Sequence, residues 1–367
     1  MQSNRRSWFK QASIIAAGLG LQSFNGLSAH TKEHFARKTA DGKIRLDSNE
    51  NPYGPSPMAR AAMTAAVTDS NRYNWDLRGS LIEGIAKKIK VSEDNILLGA
   101  GSTEILDLMV RFTSMEKGSF VVADPTFAYW AATAQRLGLE KITVPLSNDK
   151  RHDLPAMLKA IRPDTKLIYL CNPNNPTGTI CRREELLSFI NKATQKTIVL
   201  VDEAYLDFTG QPSLCDQVAD NKNLVIAKTF SKIYGMAGAR VGYAIAHPET
   251  LERISKLQLW SNGSVSVVSA AGALLSLSDS DFVSTTALLN EKAREYTTEN
   301  LERLSIPCII SHANFIYFSL ADYDKDFFKR LEKNNIIGTR VYEEKGKWSR
   351  ITVGTMEEMQ AFIAAVA

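Results

Sequence analysis

Four polar motifs in this chain each follow a short run of apolar residues. Gly99-Ala100-Gly101-Ser102-Thr103 follows Ile96-Leu97-Leu98, and Asn172-Pro173-Asn174-Asn175-Pro176-Thr177-Gly178 follows the run Lys166–Cys171. Asp202-Glu203-Ala204-Tyr205 follows Ile198-Val199-Leu200-Val201, and the segment Thr229–Arg240 follows Leu224–Ala227. Lys232 lies in the last of these, among apolar and glycine neighbours. A lysine withdrawn from water loses proton affinity and becomes a nucleophile; alternatively it is a surface lysine in a loop. Thr229, Ser231 and Arg240 offer two hydroxyls and a guanidinium to a single phosphate. Asp202 ends a buried strand, where a carboxylate is costly without a partner. A pyridinium N–H is one such partner, and a helix N-terminus is another. The small residues 99–102 let backbone N–H groups approach an anion at a helix start, although a tight turn also needs glycine. Asn175 offers an amide donor from a proline-stiffened loop that would equally suit an ordinary turn.

The elements that must position these motifs alternate in type. Leu81, Ile82, Ile85, Ala86 and Ile89 recur at helical spacing. Phe120–Ala123 and Lys141–Val144 are further apolar strands, and Ser102 is the expected N-cap of a helix carrying Ile105, Leu106, Met109 and Val110. Unbroken apolar strands between helices predict an α/β fold with a mostly parallel sheet covered on both faces. All four motifs then fall at the carboxyl ends of strands, where open α/β sheets bind ligands. Asn49–Pro57 is dense in turn formers and predicts a loop, and Met58–Thr68 predicts a helix. From about residue 265 the pattern changes to a long helix over 281–304, a strand over Asn314–Phe318, a helix near Lys325–Asn334, a strand Arg350–Val353 and a helix Glu357–Val366. These make a smaller α+β unit. The expected organisation is a signal segment over 1–29, an N-terminal arm over 30–72, a large domain over 73–264 and a small domain over 265–367.

The N-terminus differs from the rest. Arg5-Arg6-Ser7-Trp8-Phe9-Lys10 precedes the apolar run Ala12–Leu21, a charged region followed by a short hydrophobic one. That run is shorter than the roughly 20 residues a membrane-spanning helix requires. The paired arginines resemble a twin-arginine export signal, with a periplasmic destination, and Leu27-Ser28-Ala29 is a candidate cleavage site; an amphipathic helix of a cytoplasmic protein is the alternative. The twin-arginine route carries folded cargo, which suits a protein that loads a cofactor before export.

Composition is that of an ordinary soluble domain. The 367 residues are 44% apolar and 23% charged, with a net charge of +4 and no Lys/Arg run, so no nucleic-acid surface is expected. The four cysteines form no CxxC pair and the five histidines no metal-ligand spacing, so no metal is expected. Cys171 and Cys181 flank one loop and could approach each other.

The order Asn175-Pro176-Thr177-Gly178, Asp202-Glu203-Ala204-Tyr205, then Ser231-Lys232 with Arg240 eight positions later resembles the fold-type-I pyridoxal 5′-phosphate (PLP) aminotransferases. Leu46–Pro57 and Arg350–Met359 resemble the histidinol-phosphate aminotransferases within them. The resemblance covers nearly all of residues 44–367. It implies that Lys232 bonds PLP and then moves the substrate proton, that Asp202 pairs with the ring nitrogen, and that Asn175 and Tyr205 bond the phenolic oxygen. Ala100, Gly101, Ser102, Thr229, Ser231 and Arg240 would bind the phosphate, and Phe127 would stack on the ring. Tyr73 would reach the cofactor of a neighbouring subunit, implying a homodimer. Tyr53, Arg340 and Arg350 fall on the substrate side, Arg350 matching the arginine for a substrate anion. The implied substrates are a small amino donor and a 2-oxo acid such as 2-oxoglutarate.

Two departures bear on the substrate. The family reads Tyr-Pro-Asp-Pro where this chain has Tyr73-Asn74-Trp75-Asp76. Arg340 is offset from the family's Val-Arg pair, in Gly338-Thr339-Arg340-Val341-Tyr342. Histidinol phosphate and an aromatic amino acid both stay open as donors. A PLP decarboxylase of the threonine-phosphate type and a non-catalytic binding protein would share the same scaffold.

Overall fold

Val, Ile and Leu recur in the strands Thr165–Cys171, Ile198–Asp202 and Leu224–Thr229 because these central strands are covered on both faces. The computed structural model describes residues 42–260 and 264–367; the expected signal segment over 1–29 and the start of the arm lie outside the described residues. The chain enters at β1 (Ile44–Arg45). It then builds β2 (Ile96–Gly99), β3 (Gly118–Asp124), β4 (Leu139–Pro145), β5 (Thr165–Cys171), β6 (Ile198–Asp202), β7 (Leu224–Thr229) and β8 (Gly242–Ala246). The last seven form one sheet in the order β2-β8-β7-β6-β5-β3-β4. All but β8 run parallel; β8 pairs antiparallel with both β2 and β7. The carboxyl ends of β2, β3, β5, β6 and β7 therefore share one edge, as expected.

Successive strand residues point to opposite faces. Ile168, Val199, Val201 and Ile226 pack on one side with α1 (Pro57–Ala66), α2 (Trp75–Ile89), α5 (Leu154–Lys159) and α6 (Arg183–Ala193). Phe120, Tyr169, Leu200 and Val225 pack on the other with α3 (Ser102–Thr113), α4 (Ala131–Arg136) and α7 (Pro248–Ser255). The helical spacing read over 81–89 buries Leu77, Leu81, Ile82, Ile85 and Ala86 of α2, and Asn74 caps that helix through Leu77 N at 2.9 Å. Each of the larger of these side chains contributes about 1.5–3 kcal/mol by leaving water.

The sequence pattern singled out neither the helices α4 to α7 nor β8 and one later helix. β8 lies directly after the phosphate-type motif and reads as its continuation. α8 (Val267–Ser278) packs against α1 and α2, and its Ala270, Ala271 and Ala273 join the large-sheet core. That core thus extends past residue 264, the expected edge of the large domain. Gly272 permits the close approach: a Cβ there would meet Met63 Cγ at 2.6 Å.

The remaining chain forms α9 (Ser280–Arg303), β9 (Cys308–Ile309), β10 (Phe315–Ser319), α10 (Phe327–Lys333), β11 (Ile336–Ile337), β12 (Val341–Glu343), β13 (Trp348–Thr352) and α11 (Met356–Val366). An antiparallel sheet, β12-β13-β10-β9, packs with α9 to α11 and with Leu46, while β1 pairs with β11. Among the described residues, no helix is long and apolar enough to cross a membrane. Cys171 and Cys181 are both buried free thiols and form no bridge.

Candidate active site

The shared strand edge opens on a cavity of about 630 Å³. Ser102, Phe127, Asn175, Asp202, Tyr205, Thr229, Ser231, Lys232, Arg240, Arg340 and Arg350 all line it. The structure thus brings together eleven residues that come from five strand ends and from the β12–β13 hairpin.

Asp202 ends β6 on the same face as Tyr169 and Cys171 of β5, because Cys171 and Asp202 are register partners. It is 2% exposed. Burial pushes its carboxyl up to about 6, against the stabilising bonds from Ala204 N–H and the Tyr169 hydroxyl and the nearby charge of Lys232. Ala204 N donates to Oδ1 at 3.0 Å and the Tyr169 hydroxyl to Oδ2 at 3.1 Å. It does not cap a helix.

Lys232 follows β7. Its Nζ donates to Ser48 O at 3.2 Å and Asn49 O at 3.1 Å, and stands 5.5 Å from the Tyr205 ring centre. Desolvation lowers its amine to about 8, helped by the positive charge of Arg350 and opposed by Glu50 and Asp202. Carbonyl acceptors keep the amine in place without neutralising it, so it remains available as a base.

Tyr205 is held by two amides. Asn175 Nδ2 and Asn49 Nδ2 each donate to its hydroxyl oxygen at 3.1 Å. Burial raises its proton affinity, so the hydroxyl keeps its proton and can donate it onward. Glu203, beside Asp202, fixes this turn: it accepts from Ser213 Oγ at 2.6 Å and Leu214 N at 3.0 Å, and pairs with buried Lys228 at 3.5 Å.

The anion end is built around Arg240, whose backbone is left-handed at φ 54°. Its guanidinium donates to Thr103 Oγ1 at 2.8 Å, Ala100 O at 3.3 Å and Ser231 Oγ at 3.4 Å. Thr229 Oγ1 donates to Ser231 Oγ at 2.9 Å. Ser102 is not the N-cap expected from the sequence: it is the first residue of α3, and Gly101 takes the cap position at φ 82°. Glu104 turns back to accept from Ala100 N at 2.5 Å. The Ser102 side chain consequently faces the cavity instead of serving the helix. A Cβ on Gly101 would lie 2.3 Å from Arg240 Nη2, so only a glycine leaves that cradle open.

Arg350, 7% exposed, closes the far end. Its Nη1 donates to Asn175 Oδ1 at 2.7 Å and its Nη2 to Asp47 O at 2.6 Å. Its buried Nε has no partner among the described residues. Arg340 and Arg350 stand 5.4 and 5.3 Å from the centre of the same Tyr342 ring.

Four expected residues do not line the cavity. Ala100 and Gly101 stand behind it, their N–H groups bonded to Glu104 and to Gly99 O because the turn into α3 closes on itself; Tyr53 and Tyr73 lie elsewhere. Tyr53 does not line the cavity; it borders a small cleft with Asn51 and Asn314, and burial beside Glu357 and Glu358 pushes its hydroxyl up to about 12. The loop supplies Asn49 instead, because a left-handed backbone at φ 53° turns the chain there. Tyr73, 68% exposed, stacks on Trp75 at 5.4 Å and meets Trp260 edge-on at 4.9 Å, outside this cavity. Asn49, Tyr129 and Tyr342 line the site without having been singled out. The sequence marks Asn49 only as an asparagine in a turn-rich loop, a residue type that tolerates the left-handed backbone found there.

The donor set fits PLP. A buried carboxylate faces the cavity, a lysine of lowered proton affinity stands beside it, and a glycine-opened cradle of hydroxyls and guanidinium can take a phosphate. Among the described residues no cluster of His, Cys, Asp or Glu is placed to hold a metal.

A family model described as aminotransferase class I and II matches residues 41–366. The chain is 35% identical to a histidinol-phosphate aminotransferase of Moorella thermoacetica over 334 residues, covering 88% of this chain and 84% of that one. It is also 35% identical to an aromatic amino acid aminotransferase of Mycolicibacterium smegmatis, covering 89% and 90%. Among solved structures, it is similar to a histidinol-phosphate aminotransferase from Sinorhizobium meliloti in complex with pyridoxal-5′-phosphate, at TM-score 0.81 and 26% identity, covering 95% and 98%.

Proposed function

Because this chain belongs to the class I and II aminotransferase family and is a PLP-dependent transaminase, we propose that it moves an amino group between histidinol phosphate or an aromatic amino acid and 2-oxoglutarate, with PLP held on Lys232. The observation that carries the assignment is the convergence of Lys232, Asp202 and Arg240 on one cavity.

When bound, PLP supplies an electron-accepting ring that stabilises negative charge at the substrate Cα. The chain's residues do the rest. Lys232 Nζ takes the Cα proton and returns it, a task suited to an amine titrating near neutrality. Asp202 would hold the proton of the ring nitrogen. Asn175 and Tyr205 would donate to the ring oxygen, and Phe127 would lie against the ring. Ser102, Thr229, Ser231 and Arg240 would hold the phosphate, since the N–H groups of Ala100 and Gly101 are already bonded to Glu104 and to Gly99 O. Arg340 and Arg350 favour an anionic substrate group, and Phe127, Tyr129 and Tyr342 favour a planar ring. Histidinol phosphate and phenylalanine, offered side by side with 2-oxoglutarate, should yield glutamate from at least one. Carbon dioxide release independent of 2-oxoglutarate would assign a decarboxylase instead.

The exposed Tyr73, Trp75 and Trp260 favour a homodimer in which Tyr73 completes the partner's site. Sedimentation should then give a dimer, and Tyr73→Ala should weaken PLP retention. Export by Arg5-Arg6 is tested by fractionating cells that carry Arg5→Lys and Arg6→Lys; loss of periplasmic protein is the expected result, and an unchanged distribution would exclude the route.

A further inference from the structure

Tyr169 has no part in the chemistry assigned above, yet among the described residues it is one of two groups that bond the Asp202 carboxylate. It lies on β5, fully buried, with its ring edge-on to Trp130 at 5.1 Å. This packing fixes the direction of its hydroxyl, which donates to Asp202 Oδ2 at 3.1 Å. We infer that Tyr169 is a positioning residue that keeps Asp202 ionised and aimed at the cofactor ring nitrogen, an inference that rests on the function proposed above.

Asp202 faces two opposed demands. It must be buried to meet the ring, and burial favours its neutral acid. A neutral acid cannot hold a ring-nitrogen proton by charge. A hydroxyl donating to the carboxylate restores the charged form, because hydrogen bonds to charged groups are the stronger ones. Each carboxylate oxygen accepts about two bonds. The Tyr169 hydroxyl and Ala204 N take one site on each, leaving room for a ring N–H while restraining rotation. Trp130 Nε1, beside Tyr169, has no partner among the described residues, so the indole does not substitute as donor. The other titratable groups facing Asp202 are Cys171 on β5, Glu203 and Tyr205 after β6, Tyr129 after β3 and Lys232 after β7. None of these donates to the Asp202 carboxylate; among the described side chains only that of Tyr169 does.

The test uses the holoenzyme and Tyr169→Phe, which keeps the packed ring and removes the hydroxyl. PLP retention is measured by ultrafiltration from pH 5 to 9, in the native and the Asp202→Asn backgrounds. Losing a hydrogen bond to a charged group should weaken PLP binding about tenfold near pH 6 and move the acid-side midpoint up by about one pH unit. In the Asp202→Asn background, which cannot titrate, Tyr169→Phe should leave the midpoint unchanged. An unaltered midpoint in the native background, or an equal shift in both, would overturn the inference while leaving PLP on Lys232 intact. If the native protein itself retains no PLP, the proposed function falls first.

Discussion

Arg350 Nη1 donates to Asn175 Oδ1 at 2.7 Å, joining the substrate end of the cavity to the cofactor end. With its oxygen taken, the Asn175 amide must present nitrogen to Tyr205, at 3.1 Å. In the proposed function a single arginine would thus both face substrate and orient a cofactor ligand.

Arg350→Lys should therefore fail in two ways. A lysine cannot reproduce a planar fork, so kcat/KM for an anionic donor should fall about 100-fold, the equivalent of about 3 kcal/mol. The pH midpoint of the cofactor's visible band should also move, because Asn175 is released. Steady-state kinetics and a spectral titration separate the two; a raised KM with an unmoved band would show that the Asn175 link carries no function.

Gly101→Ala should fold and bind PLP poorly. Its Cβ would collide with Arg240 Nη2, the mobile end of a side chain, and not with backbone. The guanidinium must move out of the cradle, and the alanine takes a strained φ of +82°. We expect PLP affinity to drop by about tenfold or more, as for a lost charge-assisted bond, with the melting temperature lowered by a few degrees through the backbone strain, about 1–3 kcal/mol. Retained affinity would mean that Arg240 does not touch the phosphate.

Asn49→Gly keeps the left-handed backbone and deletes one of the two amides on Tyr205. The loss should be about 1 kcal/mol in stability together with a shift in the cofactor's visible band. A stability loss with an unchanged band would make Asn49 a loop anchor only.

His152 gives a pH signature to folding. It is 6% exposed, its Nε2 bonds Cys171 O at 2.9 Å, and burial lowers its pKa from 6.5 to about 4. Below pH 6.5 the unfolded chain takes a proton that the folded imidazole refuses, so stability falls as pH drops toward 4. The loss from this group approaches about 3 kcal/mol. Denaturant melts of His152→Gln should show a shallower decline over that window; parallel declines would exclude His152.

Much of the site was legible because its residues interrupt an apolar pattern. Asp202, Lys232 and Arg240 stand where strands of Val, Ile and Leu break off, and polarity there has few structural uses. Tyr169 sits inside such a strand, and an aromatic in an apolar run reads as core. Asn49 and Tyr342 enter from segments far away in sequence, so only tertiary packing brings them in. Ser102 was misplaced as a cap because backbone dihedrals, not residue type, gave that position to Gly101. α8 was missed because its Ala, Ser and Gly content hides a face that needs close packing against α1.

The most direct test is chemical. Borohydride reduction of the native protein, followed by peptide mapping, should leave the pyridoxyl label on Lys232, and Lys232→Ala should lose the label and the transamination together. A label on another lysine, or full turnover in Lys232→Ala, would contradict the assignment.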